Sequence, residues 1–255
     1  MSILTDTWYL FIRAIKKLLR NPILLFFSLF QPIIFLLLFT QLFSRFAQIP
    51  GFPTSSYLLF ATPGIVLQNA FSSAFQSGIS IVDDLKSGYL EKMLVTRVSR
   101  AAILLGRISA DAFRMVVQSI IILILAYVLG AWPTTGIPGL LLMLLTIALF
   151  GLSWAGISLS LALKTKNAES VFGIGAFLTF PLLFISTALT PLSFMPDWMQ
   201  TVSKLNPISY TVDALRVVFL TGFDWTTILA AYAVFGLLGV VTLGAAVYQF
   251  KKVVG

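Results

Sequence analysis

The sequence predicts an all-α membrane protein with six transmembrane helices, an N-terminal amphipathic interfacial helix, and re-entrant, half-length helices before the last span. Three observations carry that reading. Of 255 residues, 58% are hydrophobic and only 10% are charged, where a soluble domain carries roughly 25% charged residues. Uncharged runs approach the ~20 residues that a helix needs to cross a bilayer. The charged residues gather in short segments between those runs. The chain has no cysteine and no histidine. Disulfides, zinc fingers, thiol nucleophiles and imidazole chemistry are therefore excluded, and no metal site is expected. The net charge of +8 is read as topology-setting loop charge, with no nucleic-acid partner.

The elements follow in order. In residues 5–20, Trp8, Phe11, Ile12, Ile15, Leu18 and Leu19 fall at helical spacing, with Arg13, Lys16, Lys17 and Arg20 between them. That pattern predicts a helix over 1–21 lying in the interface, its basic side toward lipid head groups. Asn21-Pro22 ends it, because the residue before proline disfavours helix. The first span is expected at 22–44, kinked at Pro32. A loop at 45–56 precedes a second, unusually polar span at 57–82. The third is expected at 108–130, the fourth at 138–162, the fifth at 170–190 and the sixth at 225–249. Residues 191–224 are too polar for a span and too apolar for a plain loop. Half-length helices entering and leaving from one side fit that mixture, provided protein or water shields their backbone.

Six spans put both termini on one side. Lysine and arginine cluster on that side, in the N-terminal segment, residues 83–107, residues 163–169 and the C-terminus, against only Arg45, Lys204 and Arg216 opposite. Positive charge stays inside, so both termini are expected in the cytoplasm. No cleavable signal peptide is expected, since no small-residue cleavage site follows a short apolar run.

Residues 83–107, DDLKSGYLEKMLVTRVSRAAILLGR, thus form a cytoplasmic segment. Leu85, Tyr89, Met93 and Leu94 lie at helical spacing, which predicts an amphipathic helix over 83–94, with Asp83 and Asp84 at its N-terminus, where the helix dipole favours acids. Two readings stand: a solvated connector, or a helix that a soluble partner grips.

The run from Gly88 to Arg107 resembles the first cytoplasmic loop of type-2 ABC transporter permeases. Asn206-Pro-Ile-Ser-Tyr210-Thr-Val-Asp213-Ala-Leu-Arg216 resembles a second segment of that family. Within it the chain is most similar to the daunorubicin-resistance type of drug-exporter permease. Arg97 stands where the family usually has proline. The resemblance implies a permease that does not hydrolyse ATP, is not an enzyme, and works as two copies beside two ATP-binding subunits. ATP and Mg would be bound by those partner subunits, with no cofactor on this chain. The chain itself has no G-x-x-x-x-G-K-[ST] phosphate loop. The implied coupling residues are Asp83, Asp84, Leu85, Gly88, Tyr89, Glu91, Met93, Arg97 and Arg100. The implied outer gate is the re-entrant segment with Asn206, Tyr210, Asp213 and Arg216. The topology fits a bacterial inner membrane.

Two further groups stand out. Arg107, Asp111 and Arg114 lie at i, i+4 and i+7, so Asp111 can reach either arginine, as an interface ion pair or as a hinge passing motion into the third span. Gln68, Asn69, Ser72, Ser73, Gln76, Ser77 and Ser80 give the second span a polar face too wide for lipid, joined by Gln31 from the first. It either lines a translocation path or packs against other helices. The expected function is export of an amphipathic or lipidic substrate: a drug, a lipid or a lipid-linked glycan. The alternative is an ion-coupled secondary transporter with no ATPase partner, which would want ionisable groups at mid-span.

Overall fold

The computed structural model describes residues 3–96 and 98–254, so Arg97 lies outside the described residues. Among those described, all regular structure is helical. There are ten α-helices: α1 (Ile3–Leu19), α2 (Pro22–Leu42), α3 (Tyr57–Lys86), α4 (Tyr89–Leu94), α5 (Arg100–Val128), α6 (Gly136–Thr165), α7 (Ala168–Phe184), α8 (Asp197–Leu205), α9 (Pro207–Leu220) and α10 (Trp225–Val254). Four stretches are long and apolar enough to cross a membrane: Tyr57–Lys86, Ala101–Val128, Gly136–Thr165 and Trp225–Phe250. Of the other two expected spans, α2 has 21 residues, roughly 31 Å at 1.5 Å per residue, and α7 is shorter. α2 carries its apolar stretch over Phe26–Leu42. α7 has 17 residues, roughly 25 Å at 1.5 Å per residue, short of a ~30 Å hydrocarbon core. It contains Pro181 and stops at Phe184, so residues 185–190, expected to complete the fifth span, run as irregular buried chain.

α3 is the hub. Its apolar window is 83% buried, against 22% for that of α10. Small residues and hydroxyls fix its neighbours. A Cβ at Gly78 would lie 2.3 Å from Ser158 Oγ, so α3 and α6 meet backbone to side chain. Ser158 Oγ accepts from Gly78 N and donates to the Phe75 carbonyl. Across α6 and α10, Ser153 Oγ donates to the Phe235 carbonyl, and Thr242 Oγ1 donates to the Ser153 carbonyl at 2.6 Å. Hydroxyl-to-carbonyl bonds of this kind are how apolar helices hold one another where burial in lipid offers little driving force.

α1 packs along the N-terminal part of α5, with Gly106 at the crossing: a Cβ there would lie 2.7 Å from Leu10 Cβ. Phe11 meets the edge of Phe113 at 5.7 Å. The N-terminal amphipathic helix is thus fastened to a candidate span.

The expected helix over 83–94 divides in two. No glycine or proline interrupts the chain between Gly78 and Gly88, so α3 runs on to Lys86. Asp83 and Asp84 therefore lie in the last turn of α3, not at the start of the next helix. Gly88, with φ +65°, makes the turn, and α4 has only six residues. A left-handed backbone is cheap only for glycine.

After α7 come a 3₁₀ turn at Leu192–Phe194, then α8 with 9 residues and α9 with 14. These are roughly 14 and 21 Å long, too short to cross. α9 starts on the Asn206 cap with Pro207 in its first turn, where a missing N–H costs nothing. It lies against α3, α6 and α10. Asp224 starts α10: its carboxylate accepts from Thr226 N and Thr227 Oγ1. The Thr227 hydroxyl holds the Asp224 carboxyl below the usual carboxylate range.

Candidate coupling and translocation site

A ladder of polar side chains runs between α3 and α5, starting beside α4. At the end beside α4, Asp84, buried in the last turn of α3, takes Lys17 from α1 at 2.9 Å and Arg107 from α5 at 2.8 Å. Arg107 Nε also lies 3.6 Å from Asp111, and Arg114 lies 3.5 Å from the other oxygen of Asp111. The Ser77 hydroxyl donates to Asp111. Arg114 donates to the Ser73 carbonyl at 2.7 Å. One turn further, Gln118 Oε1 accepts from Ser73 Oγ at 2.7 Å and from Asn69 Nδ2 at 3.5 Å, while its Nε2 donates to Ser28 of α2 at 2.8 Å.

The geometry follows from helical spacing. Residues 107, 111, 114 and 118 share one face of α5, and 69, 73, 77 and 84 share the facing side of α3. Charges sit at the end beside α4 and neutral amides and hydroxyls further along the helices, as the cost of burying a charge requires. Gln118 and Ser28 are the members that the sequence reading omitted. The signal for Gln118 was present, since it continues the 107–111–114 spacing by one more step.

The polar face of α3 divides between the two expected roles. Asn69, Ser73 and Ser77 bond toward α5. Gln68, Ser72 and Gln76, with Gln31 of α2, line a cavity of about 290 Å³ whose wall also includes α7 residues. Asn69 and Ser73 belong to both.

α4 is held by its apolar side. Leu90 and Met93 are buried, and cluster with Val82, Ile103 and Leu104. Leu85 and Tyr89 are half-buried, and Arg13 of α1 stacks on the Tyr89 ring with its guanidinium carbon 3.3 Å from the centroid. Asp83 and Glu91 are exposed. Asp84, grouped with them as a docking residue, is instead occupied by Lys17 and Arg107. Arg100 opens α5, but its side chain, like Arg97, is outside the described residues.

At the opposite end, Arg216 of α9 reaches the irregular chain after α7. It donates to the carbonyl of Thr187 at 2.6 Å and of Ala188 at 3.3 Å, stacks 3.8 Å over the Phe60 ring, and pairs with Asp213 at 3.2 Å. Thr187 Oγ1 donates to Asp213 at 2.6 Å, and Tyr57 OH donates to the Leu189 carbonyl at 2.9 Å. Asn206 spans the same region, donating to the Leu182 carbonyl at 2.6 Å. Tyr210 stands apart from this cluster, exposed on the surface. Among the described residues no group of three or more acids could hold a metal ion.

Comparison with known proteins agrees with this architecture. Residues 5–220 match the family described as ABC-2 type transporter. A transport permease designated ycf38 from Cyanophora paradoxa is 32% identical, over 81% of this chain and 71% of its own length. The daunorubicin resistance ABC transporter permease protein DrrB1 of Streptomyces coeruleorubidus is 30% identical, over 84% of this chain and 73% of its own. A doxorubicin resistance permease, DrrC of Mycobacterium tuberculosis, is 26% identical, over 80% and 73%. With a family match over most of its length and relatives at 30% identity or more, the chain belongs to the ABC-2 type transporter family.

Proposed function

We propose that this chain is the membrane subunit of an ATP-driven exporter that moves an amphipathic or lipidic substrate. It does so as a pair of identical permeases beside two ATP-binding subunits that hold ATP and Mg. The observation that carries this reading is the uninterrupted polar ladder from Asp84, at the base of α4, to Gln118, at the wall of the α2–α3–α7 cavity. α4 docks on the body of the permease through Leu90 and Met93 and leaves Glu91 and Lys92 exposed. That is the arrangement of a lever with one face fixed and one face free for a soluble partner. Asp83, Leu85, Gly88, Tyr89 and Arg97 complete the proposed coupling element, and Arg107, Asp111 and Arg114 form its hinge. ATP-driven movement of α4 would shift the ladder and with it the population of inward- and outward-facing states.

In this reading α2 and α7 complete six crossings, both termini are cytoplasmic, and α8 and α9 are re-entrant helices forming an outer gate at Asn206, Asp213 and Arg216. The cavity is the entrance to the path, through Gln31, Gln68, Asn69, Ser72 and Gln76. The membrane is the bacterial inner membrane. The relatives named for daunorubicin and doxorubicin resistance support a drug-like amphiphile. The test is a mild-detergent pull-down of the tagged chain from native membranes, assayed for ATP hydrolysis and subunit ratio. An ATPase in equal amount is expected. A lone, ATP-inert chain that still transports in vesicles would instead require an ion-coupled mechanism.

A further inference from the structure

The cavity between α2, α3 and α7 has a polar interior and an aromatic rim. Phe27, Phe172 and Phe180 at the rim are 62%, 66% and 47% exposed, so it opens to the surface of the chain. Arg114 is the only ionisable side chain among the described residues that line it. Its ion-pair partner Asp111 is not part of the wall. The Arg114 side chain is only 10% exposed, and its Nε has no hydrogen-bond partner among the described residues. Gln68, 4% exposed, likewise has an unpartnered Oε1. Buried polar groups are nearly always satisfied. Two unsatisfied groups on the wall of one open cavity therefore point to a ligand.

The sign of that ligand follows from charge. Across the ladder, Lys17, Arg107 and Arg114 face only Asp84 and Asp111, which leaves one positive charge uncompensated. A cationic head in the cavity would meet an arginine and no carboxylate. A phosphate head that keeps one proton would accept from the guanidinium and donate to the Gln68 amide oxygen, which a deprotonated carboxylate cannot do.

We infer that the cavity binds an amphiphile with a compact, singly protonated phosphate head and a hydrocarbon tail. The head lies against Arg114 and Gln68, and the tail leaves among Phe27, Phe172 and Phe180. This deepens the exporter reading by naming a substrate class, yet the binding itself requires no ATPase. Two sources share the chemistry: a resident membrane lipid, or the cargo.

The experiment is equilibrium binding of radiolabelled dodecyl phosphate, dodecanol and dodecylamine to the purified chain in a neutral detergent. Dodecyl phosphate is expected to saturate and to bind about tenfold more tightly than dodecanol, the worth of one charge-assisted hydrogen bond, with dodecylamine weakest. Arg114→Gln is expected to remove that tenfold preference. Should that variant fail to fold, Ser72→Phe fills the cavity from its exposed edge and is expected to abolish saturable binding. Dodecylamine binding as tightly as dodecyl phosphate, or dodecyl phosphate binding unchanged in either variant, overturns the inference. An anionic lipid retained by the wild-type chain and lost from Arg114→Gln would assign a resident lipid. A cavity that purifies empty and loads with dodecyl phosphate would assign cargo. Failure of the exporter reading would show separately, as no ATPase co-purifying.

Discussion

The two ends of the molecule bury arginine for opposite purposes. At the end beside α4, Arg107 and Arg114 share Asp111, and Arg107 also shares Asp84 with Lys17. The contacts are mostly side chain to side chain, on three separate helices. At the other end, Arg216 spends its donors on main-chain carbonyls of Thr187 and Ala188, with Asp213 three residues away on its own helix. The first arrangement can exchange partners as helices slide, because each acid already has more than one cation. The second is pinned: Arg216 holds main-chain carbonyls of a broken, buried segment, and buried carbonyls left unsatisfied are costly. One end is built to shift and the other to hold a shape.

That contrast can be broken by mutation. Arg216→Ala strips the carbonyls of Phe60, Thr187 and Ala188 and frees Asp213, whose side chain is 42% exposed, so it is expected to cost about 3 kcal/mol, most of it from the stripped carbonyls. Thermal unfolding in detergent would read this as a large loss of stability, with Arg216→Lys recovering only a minor part because lysine lacks the planar fork. Asp84→Asn keeps the shape but releases Lys17 and Arg107. The expected cost is about 2 kcal/mol, accompanied by loss of substrate-stimulated ATPase activity in the assembled transporter. Intact stimulation in a stably folded Asp84→Asn protein would disconnect the ladder from coupling. Lys17 is half exposed, so Lys17→Ala should cost less than about 1 kcal/mol. The double variant Asp83→Lys, Glu91→Lys is expected to leave the melting temperature unchanged, since both side chains are exposed. It should still abolish capture of the ATPase, and normal capture would remove these residues from the docking surface.

Much of this was readable from residue spacing. The Arg107–Asp111–Arg114 and Asp213–Arg216 pairs lie within two turns of one helix, where 3.6-residue geometry alone brings them together. The long apolar runs likewise announce their helices. What spacing cannot give is a partner on another element. Lys17 meets Asp84 across 67 positions, and Gln118 meets Ser28 across 90. The division at Gly88 was misread for a different reason. The apolar period of 83–94 continues smoothly through it, whereas the backbone does not, so the acids expected to begin a helix instead end one. The stop at Phe184 depends on Arg216 being available to satisfy the carbonyls beyond it, which no local pattern reveals.

The turn between α5 and α6 has a consequence for how the chain is made. Thr134 N donates to the Phe219 carbonyl at 2.9 Å, and Thr135 Oγ1 to the Val218 carbonyl at 2.7 Å, so the last carbonyls of α9 end on residues synthesised more than eighty positions earlier. Chains emerge N-terminus first. The α5–α6 hairpin is therefore made first, as a socket, and α9 is a late plug that fits only a correctly placed hairpin. A newborn chain with a misplaced hairpin would carry a helix end with nowhere to lodge, a defect that a membrane quality-control protease can recognise before any transporter is assembled.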